Sequence, residues 1–279
     1  MIIASLIILI FFLYFKMQRF TKTRINNKKI LIIGGTKGIG YELTKCLQNN
    51  NDVTVLARKQ EILLNKTVKF VKCDIMKPET YKNIPTYDYD VIFCCPGVCK
   101  PSLYENSDID DLKNHLDINF IGPISILHHL KRLSTKPFTY VLFSSTLSLF
   151  TLPGYSFYSP AKAALLNFQQ CLKTESKIDL KILILGTVKT KSYIKENYTK
   201  PETTKSIENL SNVALPKEIA EFLIHNLYNR NILYYDWFTY FFGIKFICEK
   251  PIDYFLFPFS VIIVFISRIV KKIMCKEIK

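Results

Sequence analysis

The fold is decided by residues 30–40, which read Ile-Leu-Ile-Ile-Gly-Gly-Thr-Lys-Gly-Ile-Gly. Four consecutive apolar residues, three of them β-branched, predict a buried strand. The glycines that follow predict a tight turn, and we expect a helix to begin near Gly38. Such a turn cradles phosphate, because backbone N–H groups converge there and the helix dipole favours negative charge. The stretch therefore predicts a dinucleotide-binding fold.

Apolar strands alternate with helical segments along the rest of this region. We predict strands at residues 52–57, 68–71, 90–95, 139–144 and 180–185, and helices at residues 38–49, 109–116, 121–133 and 158–176. The strands are apolar at nearly every position, which predicts a doubly wound parallel sheet in an α/β, Rossmann-like fold. In such a sheet the site lies at the carboxyl ends of the strands.

The net charge of +15 is concentrated in two basic runs, and each run follows an apolar stretch of the 279-residue chain. These stretches are Ile2–Phe15 and Tyr254–Ser267. Basic residues beside apolar segments favour anionic membrane lipids as partners over nucleic acid, and no nucleic-acid-binding motif accompanies the charge. The eight cysteines show no paired C-x-x-C spacing, so we expect neither a metal site nor a disulfide framework.

Three regions are expected: an N-terminal membrane anchor with its basic flank at residues 1–26, a catalytic domain at 27–230, and a membrane-associated region with a basic tail at 231–279. Ile2–Phe15 lacks a cleavage site, which favours a permanent anchor with the domain on the cytosolic side. Near the C-terminus, three arrangements of Tyr254–Ser267 are considered. It crosses the bilayer once, it forms a membrane hairpin with Ile232–Cys248, or both segments lie in the membrane–water interface. Interfacial or re-entrant packing is favoured, because a single crossing opposes the positive-inside tendency. The alternative is a buried helix in a soluble oligomer interface.

Four polar residues carry the predicted chemistry. Tyr158 and Lys162 lie one helical turn apart, so the phenol and the ammonium share a face. Ser145 lies thirteen residues upstream at a strand end, and Asn119 lies at a predicted helix break. In order and spacing, this set behind a G-x-x-x-G-x-G turn resembles the tetrad of the short-chain dehydrogenase/reductase family.

The resemblance implies a role for each member of the tetrad. Tyr158 donates a proton to a ketone oxygen that hydride reduction makes basic, and the ammonium of Lys162 stabilises the phenolate. Lys162 also holds the nicotinamide ribose, Ser145 bonds the substrate oxygen, and Asn119 holds a water that links Lys162 to solvent.

The cofactor is predicted to be NADPH. An NAD-binding fold usually has a carboxylate after its second strand, whereas this chain has Arg58 and Lys59 there and Lys37 in the glycine turn. Cations at these positions suit a 2′-phosphate. The predicted cofactor-binding residues are Gly34, Thr36, Lys37, Gly38, Ile39, Gly40, Arg58, Lys59, Asp74, Ile75, Gly97, Tyr158, Lys162, Gly186, Thr187 and Thr190.

One of these residues has an alternative role, and some neighbouring positions differ from the sequence pattern of the family. The resemblance implies that Asp74 reaches the adenine amino group, and a helix N-cap is the alternative for it. The chain has Cys94-Cys95-Pro96-Gly97 where the family has Asn-x-Ala-Gly, and Leu185-Gly186 where it has Pro-Gly.

Within the family, the chain resembles the 3-ketodihydrosphingosine reductases, above all at Lys195–Thr203, which is similar to their substrate loop. This implies reduction of the 3-keto group of a long-chain lipid ketone at the endoplasmic reticulum membrane, with Lys191–Asn212 as a lid. A homo-oligomer through the helix that holds Tyr158 is expected by analogy. The alternatives are a 3-ketoacyl-CoA reductase, a steroid 17-ketone reductase, and a noncatalytic NADPH-binding membrane scaffold.

Overall fold

The computed structural model describes residues 25–60 and 65–275. The predicted N-terminal anchor at Ile2–Phe15 lies outside the described residues.

A single sheet of seven parallel strands organises the described part of the chain, in the order β3-β2-β1-β4-β5-β6-β7. The strands are β1 (Lys29–Ile33), β2 (Asp52–Ala57), β3 (Lys69–Lys72), β4 (Val91–Cys94), β5 (Thr139–Ser145), β6 (Asp179–Leu185) and β7 (Ile232–Tyr234). The order reverses beside β1, since β2 and β3 lie on one side of it and β4 on the other. The crevice between the carboxyl ends of β1 and β4 is where such sheets bind ligands.

Helices and short turns connect the strands. The helices are α1 (Gly38–Leu47), α2 (Ile109–Leu116), α3 (Gly122–Leu133), α4 (Tyr158–Glu175), α5 (Lys191–Thr199), α6 (Glu202–Glu208), α7 (Pro216–Asn226), α8 (Trp237–Ile244) and α9 (Pro251–Met274). A π-helical turn at Asp117–Ile121 joins α2 to α3, and it is the helix break predicted near Asn119.

Two hydrophobic cores lie on opposite faces of the sheet. On β1, Ile30 and Ile32 belong to the core that α1 and α7 cover, whereas Leu31 and Ile33 belong to the core that α3 and α4 cover. Successive side chains of a strand point to opposite faces, so a strand that is apolar throughout needs helices on both sides. The predicted doubly wound α/β fold is therefore confirmed.

The seventh strand corrects the interpretation of Ile232–Cys248 as a membrane-associated segment. Ile232–Tyr234 pairs in parallel with β6 and is at most 3% exposed, so it belongs to the sheet. The sheet continues past the boundary expected at residue 230. Three apolar residues carry no periodicity, and a protein core selects the same residue types as lipid, so the sequence could not distinguish the two.

Helix α9 is long and apolar enough to cross a membrane, with 24 residues and a mean hydropathy of 1.9 in its apolar window. It nevertheless lies against the domain along its length. At its N-terminal end, Asp253 forms a buried ion pair with Arg230. Further along, Ser260 Oγ donates to a carbonyl oxygen of α8 at 2.6 Å, and Lys271 Nζ donates to Thr151 Oγ1 at 3.2 Å.

The opposite face of α9 is apolar and exposed. Only 22% of the apolar window is buried within the protein. The exposed apolar residues of this face are Tyr254, Phe255, Phe257, Val261, Ile262, Phe265, Ile266, Ile269, Val270 and Ile273. We call this set the α9 outer face. Most of the apolar surface of the helix therefore points away from the domain.

Candidate active site

The turn between β1 and α1 has the shape of a phosphate cradle. Gly34 and Gly38 have φ angles of +77° and +52°, which L-residues with side chains rarely adopt. A Cβ on Gly40 would lie 2.4 Å from the carbonyl oxygen of Gly34, so the turn closes only because residue 40 is glycine. The first N–H groups of α1 have no acceptor within the helix. The turn thus offers both the room and the donors that a pyrophosphate needs.

One cleft at the carboxyl ends of the strands, with a volume of about 2230 Å³, is lined by every residue predicted to bind the cofactor. It extends from the glycine turn past Arg58 and Asp74 to Gly97, Gly186 and Thr190. Sites for single small molecules occupy roughly 300–1,000 Å³, so this cleft has room for a dinucleotide and a second ligand.

The adenosine end of the cleft is basic. Arg58 and Lys59 follow β2 directly, and both are exposed at the cleft. Asp74 lines the same end, where its Oδ1 accepts a hydrogen bond of 3.0 Å from the backbone N–H of Met76. Because the next helical turn begins only at Pro78, the carboxylate closes a local turn and does not cap a helix. Its contact with adenine stays a prediction.

Ser145, Tyr158 and Lys162 come together where β5 ends and α4 begins. Ser145 is the last residue of β5, Tyr158 is the first of α4, and both line the cleft, with the Ser145 hydroxyl near enough to the phenol to lower its pKa. Lys162 lies one turn into α4, and its Nζ donates to the carbonyl oxygen of Phe143 at 2.8 Å. The same Nζ is 5.8 Å from the centroid of the Tyr158 ring. The fold thus assembles a hydroxyl, a phenol and an ammonium around one point of the cleft.

Asn119 lies behind this group and fixes the loop that follows β4. It is fully buried in the π-helical turn, with its Oδ1 accepting from the N–H of Val98 at 3.1 Å and its Nδ2 donating to the carbonyl of Val98 at 2.8 Å. A water held by Asn119 stays a prediction. What the structure adds is that the Asn119 amide holds the backbone beside Gly97 in place.

Burial dominates the pKa values of Tyr158 and Lys162. It lowers the pKa of Lys162 from 10.5 to about 8. Burial also raises the pKa of Tyr158 well above its ordinary value, with nearby Cys99 and Glu196 adding to the effect and the nearby Ser145 hydroxyl opposing it. At neutral pH the phenol is therefore protonated and the ammonium is charged.

The loop after β4 departs from the family in its side chains but keeps its backbone pairing. Cys94 is buried, and burial raises the pKa of its thiol to about 12, so it is an inert core residue. The N–H of Cys95 donates to the carbonyl of Ile33 at 3.0 Å, which ties the loop to the end of β1.

Several charged residues that line the cleft were not among the predicted site residues, and three of them lie on the segment after Thr190 or on its connection. Glu196 on α5, Lys200 after it and Glu208 on α6 all line the cleft near Tyr158. Glu196 and Lys200 belong to the stretch Lys195–Thr203 that the family resemblance singles out. That stretch was the available signal, but which of its side chains face the cleft depends on how α5 and α6 pack.

Comparisons with known proteins agree with this geometry. A family model described as short chain dehydrogenase matches residues 28–201. A 3-ketodihydrosphingosine reductase from Saccharomyces cerevisiae is 24% identical over 249 residues, which cover 74% of this chain and 78% of the relative. A protein of the same name from Dictyostelium discoideum is 25% identical over 248 residues, which cover 75% of this chain and 74% of the relative.

The fold is also similar to that of solved structures. A short chain dehydrogenase from Burkholderia cenocepacia, solved in complex with NADP, superposes with a TM-score of 0.67 at 16% identity, over 80% of this chain and 93% of that one. At this level of identity the likeness concerns the fold.

Proposed function

The chain belongs to the short-chain dehydrogenase family, and we propose that it reduces the 3-keto group of 3-ketodihydrosphingosine to give dihydrosphingosine. The convergence of Ser145, Tyr158 and Lys162 on one part of the cleft is the observation that carries the reaction class. The substrate is proposed from the names of the curated relatives and from the similarity of Lys195–Thr203 to the substrate loop of those enzymes.

NADPH is the proposed cofactor, and the residues present fit it. The glycine turn from Gly34 to Gly40 holds the pyrophosphate, and Arg58 binds the 2′-phosphate with Lys37 and Lys59 nearby. Thr187 and Thr190 also line the cleft, where their hydroxyls would serve the nicotinamide carboxamide and the pyrophosphate. When bound, NADPH supplies the hydride that reduces the ketone carbon.

The side chains of the tetrad act on the oxygen of the ketone. Ser145 donates a hydrogen bond to this oxygen and orients it toward Tyr158. Tyr158 transfers its phenolic proton to the oxygen as negative charge develops there, and the ammonium of Lys162 stabilises the phenolate left behind. Asn119 holds the loop at Gly97, which lies beside the ammonium of Lys162, and thus helps to keep this ammonium near the phenol of Tyr158.

We further propose that the protein works on the cytosolic face of the endoplasmic reticulum membrane. The α9 outer face is an apolar surface flanked by Arg268, Lys271 and Lys272, a pattern that suits an interface with anionic lipid. Residues 1–26 serve as a second anchor, and residues 27–244 with α9 form the catalytic unit. Ile266 and Val270 lie at the edge of the α9 outer face and also line the cleft, so a lipid substrate enters from the membrane side. A homo-oligomer through α4 is proposed by analogy.

The proposal is tested with the detergent-solubilised full chain. With NADPH, 3-ketodihydrosphingosine is expected to be consumed, and mass spectrometry is expected to identify dihydrosphingosine as the product. A 3-ketoacyl-CoA and a 17-ketosteroid are offered in parallel at equal concentration. Faster reduction of either of these would assign the chain to another membrane reductase, and NADPH binding without turnover of any of the three would indicate a scaffold.

A further inference from the structure

The segment Lys191–Glu208 brings charged groups to the cleft, and three of them belong to Glu196, Lys200 and Glu208. Helices α5 and α6 meet at Lys200-Pro201, and the hydroxyl of Thr204 donates to the carbonyl of Pro153 at 2.7 Å. This contact holds the segment against the loop that precedes α4. The three charged groups of Glu196, Lys200 and Glu208 are therefore part of the wall around the reacting atoms.

One of the carboxylates is already compensated. Lys200 is buried and its Nζ lies 2.5 Å from Oε2 of Glu208. The other oxygen of Glu208 accepts a hydrogen bond of 2.9 Å from the hydroxyl of Tyr155. Lys200 and Glu208 thus form a closed pair whose charges cancel.

Glu196 differs from Glu208 because it forms no such ion pair within the described residues. Among the residues that the structure describes, no lysine, arginine or histidine nitrogen lies within 4.0 Å of its carboxylate, and the Cys99 thiol lies near enough to lower its pKa slightly. Burial raises the pKa of Glu196 to about 7, with the charge of Glu208 adding to the effect and that of Lys200 opposing it. A desolvated carboxylate of this kind gains from a cation that enters the cleft.

The charge of Glu196 also reaches the proton donor. It is one of the groups that raise the pKa of Tyr158, after burial and Cys99, so the two side chains are within electrostatic range across the cleft. Proton transfer turns Tyr158 into an anion, and a second anion nearby opposes that step. A cation bound to Glu196 would neutralise its charge, and the repulsion of the phenolate that forms on proton transfer would disappear.

We propose that Glu196 binds a positively charged amine that the substrate carries on the carbon next to its ketone. The inference rests on the proposed function and deepens it, because 3-ketodihydrosphingosine has a primary amine at that position. With the ketone oxygen held by Ser145 and Tyr158, the amine is one carbon away from the carbonyl and faces the wall that α5 forms. Glu196 is thus the residue that selects an amino ketone over a simple ketone such as an acyl thioester or a steroid.

The test compares two substrates that differ only in this amine. The full chain in detergent is assayed with NADPH and either 3-ketodihydrosphingosine or its 2-deamino analogue of equal chain length. For wild type, kcat/KM is expected to favour the amine; in Glu196→Gln, kcat/KM for the amine falls roughly 10- to 100-fold, the range of a charge-assisted hydrogen bond. For the deamino analogue, Glu196→Gln is expected to leave kcat/KM unchanged or to raise it, because the opposing charge near Tyr158 is gone.

Two measurements separate recognition from a structural role. The ratio of kcat/KM for the two substrates is taken within each variant, so a loss of folded enzyme cancels from it. The pH profile for the amine is expected to rise through about pH 7 in wild type, as Glu196 loses its proton, and to lack this limb in Glu196→Gln. The matched control is Glu202→Gln, a carboxylate on the same segment whose side chain is 85% exposed, and its ratio should equal that of wild type.

The outcomes are distinct. An equal loss for both substrates in Glu196→Gln, or an unchanged ratio, overturns the role of Glu196 while wild-type turnover of the sphingoid ketone still supports the proposed function. Failure of wild type to reduce either substrate overturns the proposed function, and this inference with it.

Discussion

Gly97 and Asn119 are packed so closely that a Cβ atom on Gly97 would lie 3.3 Å from Oδ1 of Asn119 and 3.7 Å from Nζ of Lys162. The loop after β4 therefore passes between the amide of Asn119, which holds it, and the ammonium of Lys162. A methyl group at residue 97 would press on Oδ1 of Asn119, which would have to move by a few tenths of an ångström, and would touch Nζ of Lys162 at an ordinary contact distance.

The first prediction follows from this contact. Gly97→Ala is expected to shift Asn119, and the loop that it holds, by a few tenths of an ångström and to lower kcat about tenfold or more, since catalytic groups tolerate little misplacement. Steady-state kinetics with the sphingoid ketone measures the effect, and thermal unfolding shows that the fold is intact. An unchanged kcat in a folded variant would contradict the positioning role of this loop.

Tyr158→Phe is expected to reduce kcat by roughly 10²- to 10⁴-fold, the usual contribution of a positioned general acid, while NADPH binding is retained. Fluorescence titration with NADPH checks the binding. The matched control is Tyr155→Phe, because Tyr155 is close by but its hydroxyl is bonded to Glu208. If the two variants lost activity equally, Tyr158 would not be the specific proton donor.

Arg58 is expected to provide most of the preference for NADPH over NADH. Arg58→Ala removes a charge-assisted contact with the 2′-phosphate, so kcat/KM for NADPH should fall by about 10- to 100-fold, corresponding to roughly 1.5–3 kcal/mol. The kcat/KM of the same variant with NADH should equal that of wild type. Arg132→Ala, an exposed arginine in the last turn of α3, is the control for net charge. A parallel fall for both cofactors would place Arg58 away from the 2′-phosphate.

The buried ammonium of Lys162 is expected to destabilise the protein below about pH 8. Its pKa is lowered from 10.5 to about 8 on folding, so between these values the unfolded chain holds a proton that the folded protein releases. The free energy of unfolding therefore rises with pH between about 8 and 10.5. Below this window it is reduced by the full cost of burying the charged ammonium. Lys162→Met should raise the free energy of unfolding at pH 7 by about 1–3 kcal/mol and abolish activity, with a smaller gain at pH 10.

Urea unfolding at the two pH values measures this effect. Lys181→Met is the control, because Lys181 is also buried but lies 2.9 Å from Asp179 in an ion pair, so its loss should not stabilise the protein. A gain for Lys162→Met that is the same at both pH values would point to a packing effect and not to proton linkage.

Trp237 reports on the proposed membrane face. It is the only tryptophan in the chain, it is 52% exposed, and it begins the helix that packs against α9. In vesicles that contain lipids with brominated acyl chains, the fluorescence of Trp237 is expected to be quenched by the bromine atoms. Acrylamide dissolved in the water should quench it less in these vesicles than in buffer without lipid or detergent. Substituting Phe265→Glu on the α9 outer face should weaken the bromine quenching. Quenching by acrylamide alone would place this face in water.

Much of the fold could be predicted because its signals are local. Strand β2 and helix α2 were predicted with the bounds that the structure has, since apolar runs and helical spacing are properties of consecutive residues. The helix break at Asn119 was also visible in the sequence. Strand β7 was not predicted, because three apolar residues become a strand only when β6 offers them backbone partners.

The candidate site divides in the same way. The sequence by itself determined the glycine turn, the spacing of Tyr158 and Lys162 and the absence of an acid after β2, because each is a pattern within one segment. Only the tertiary structure decided that Ser145 meets Tyr158, that Asn119 holds the loop at Gly97, and that Glu196 stands uncompensated in the cleft. Contacts of this kind join segments far apart in the chain, and their charge and burial exist only once the sheet and the helices have packed.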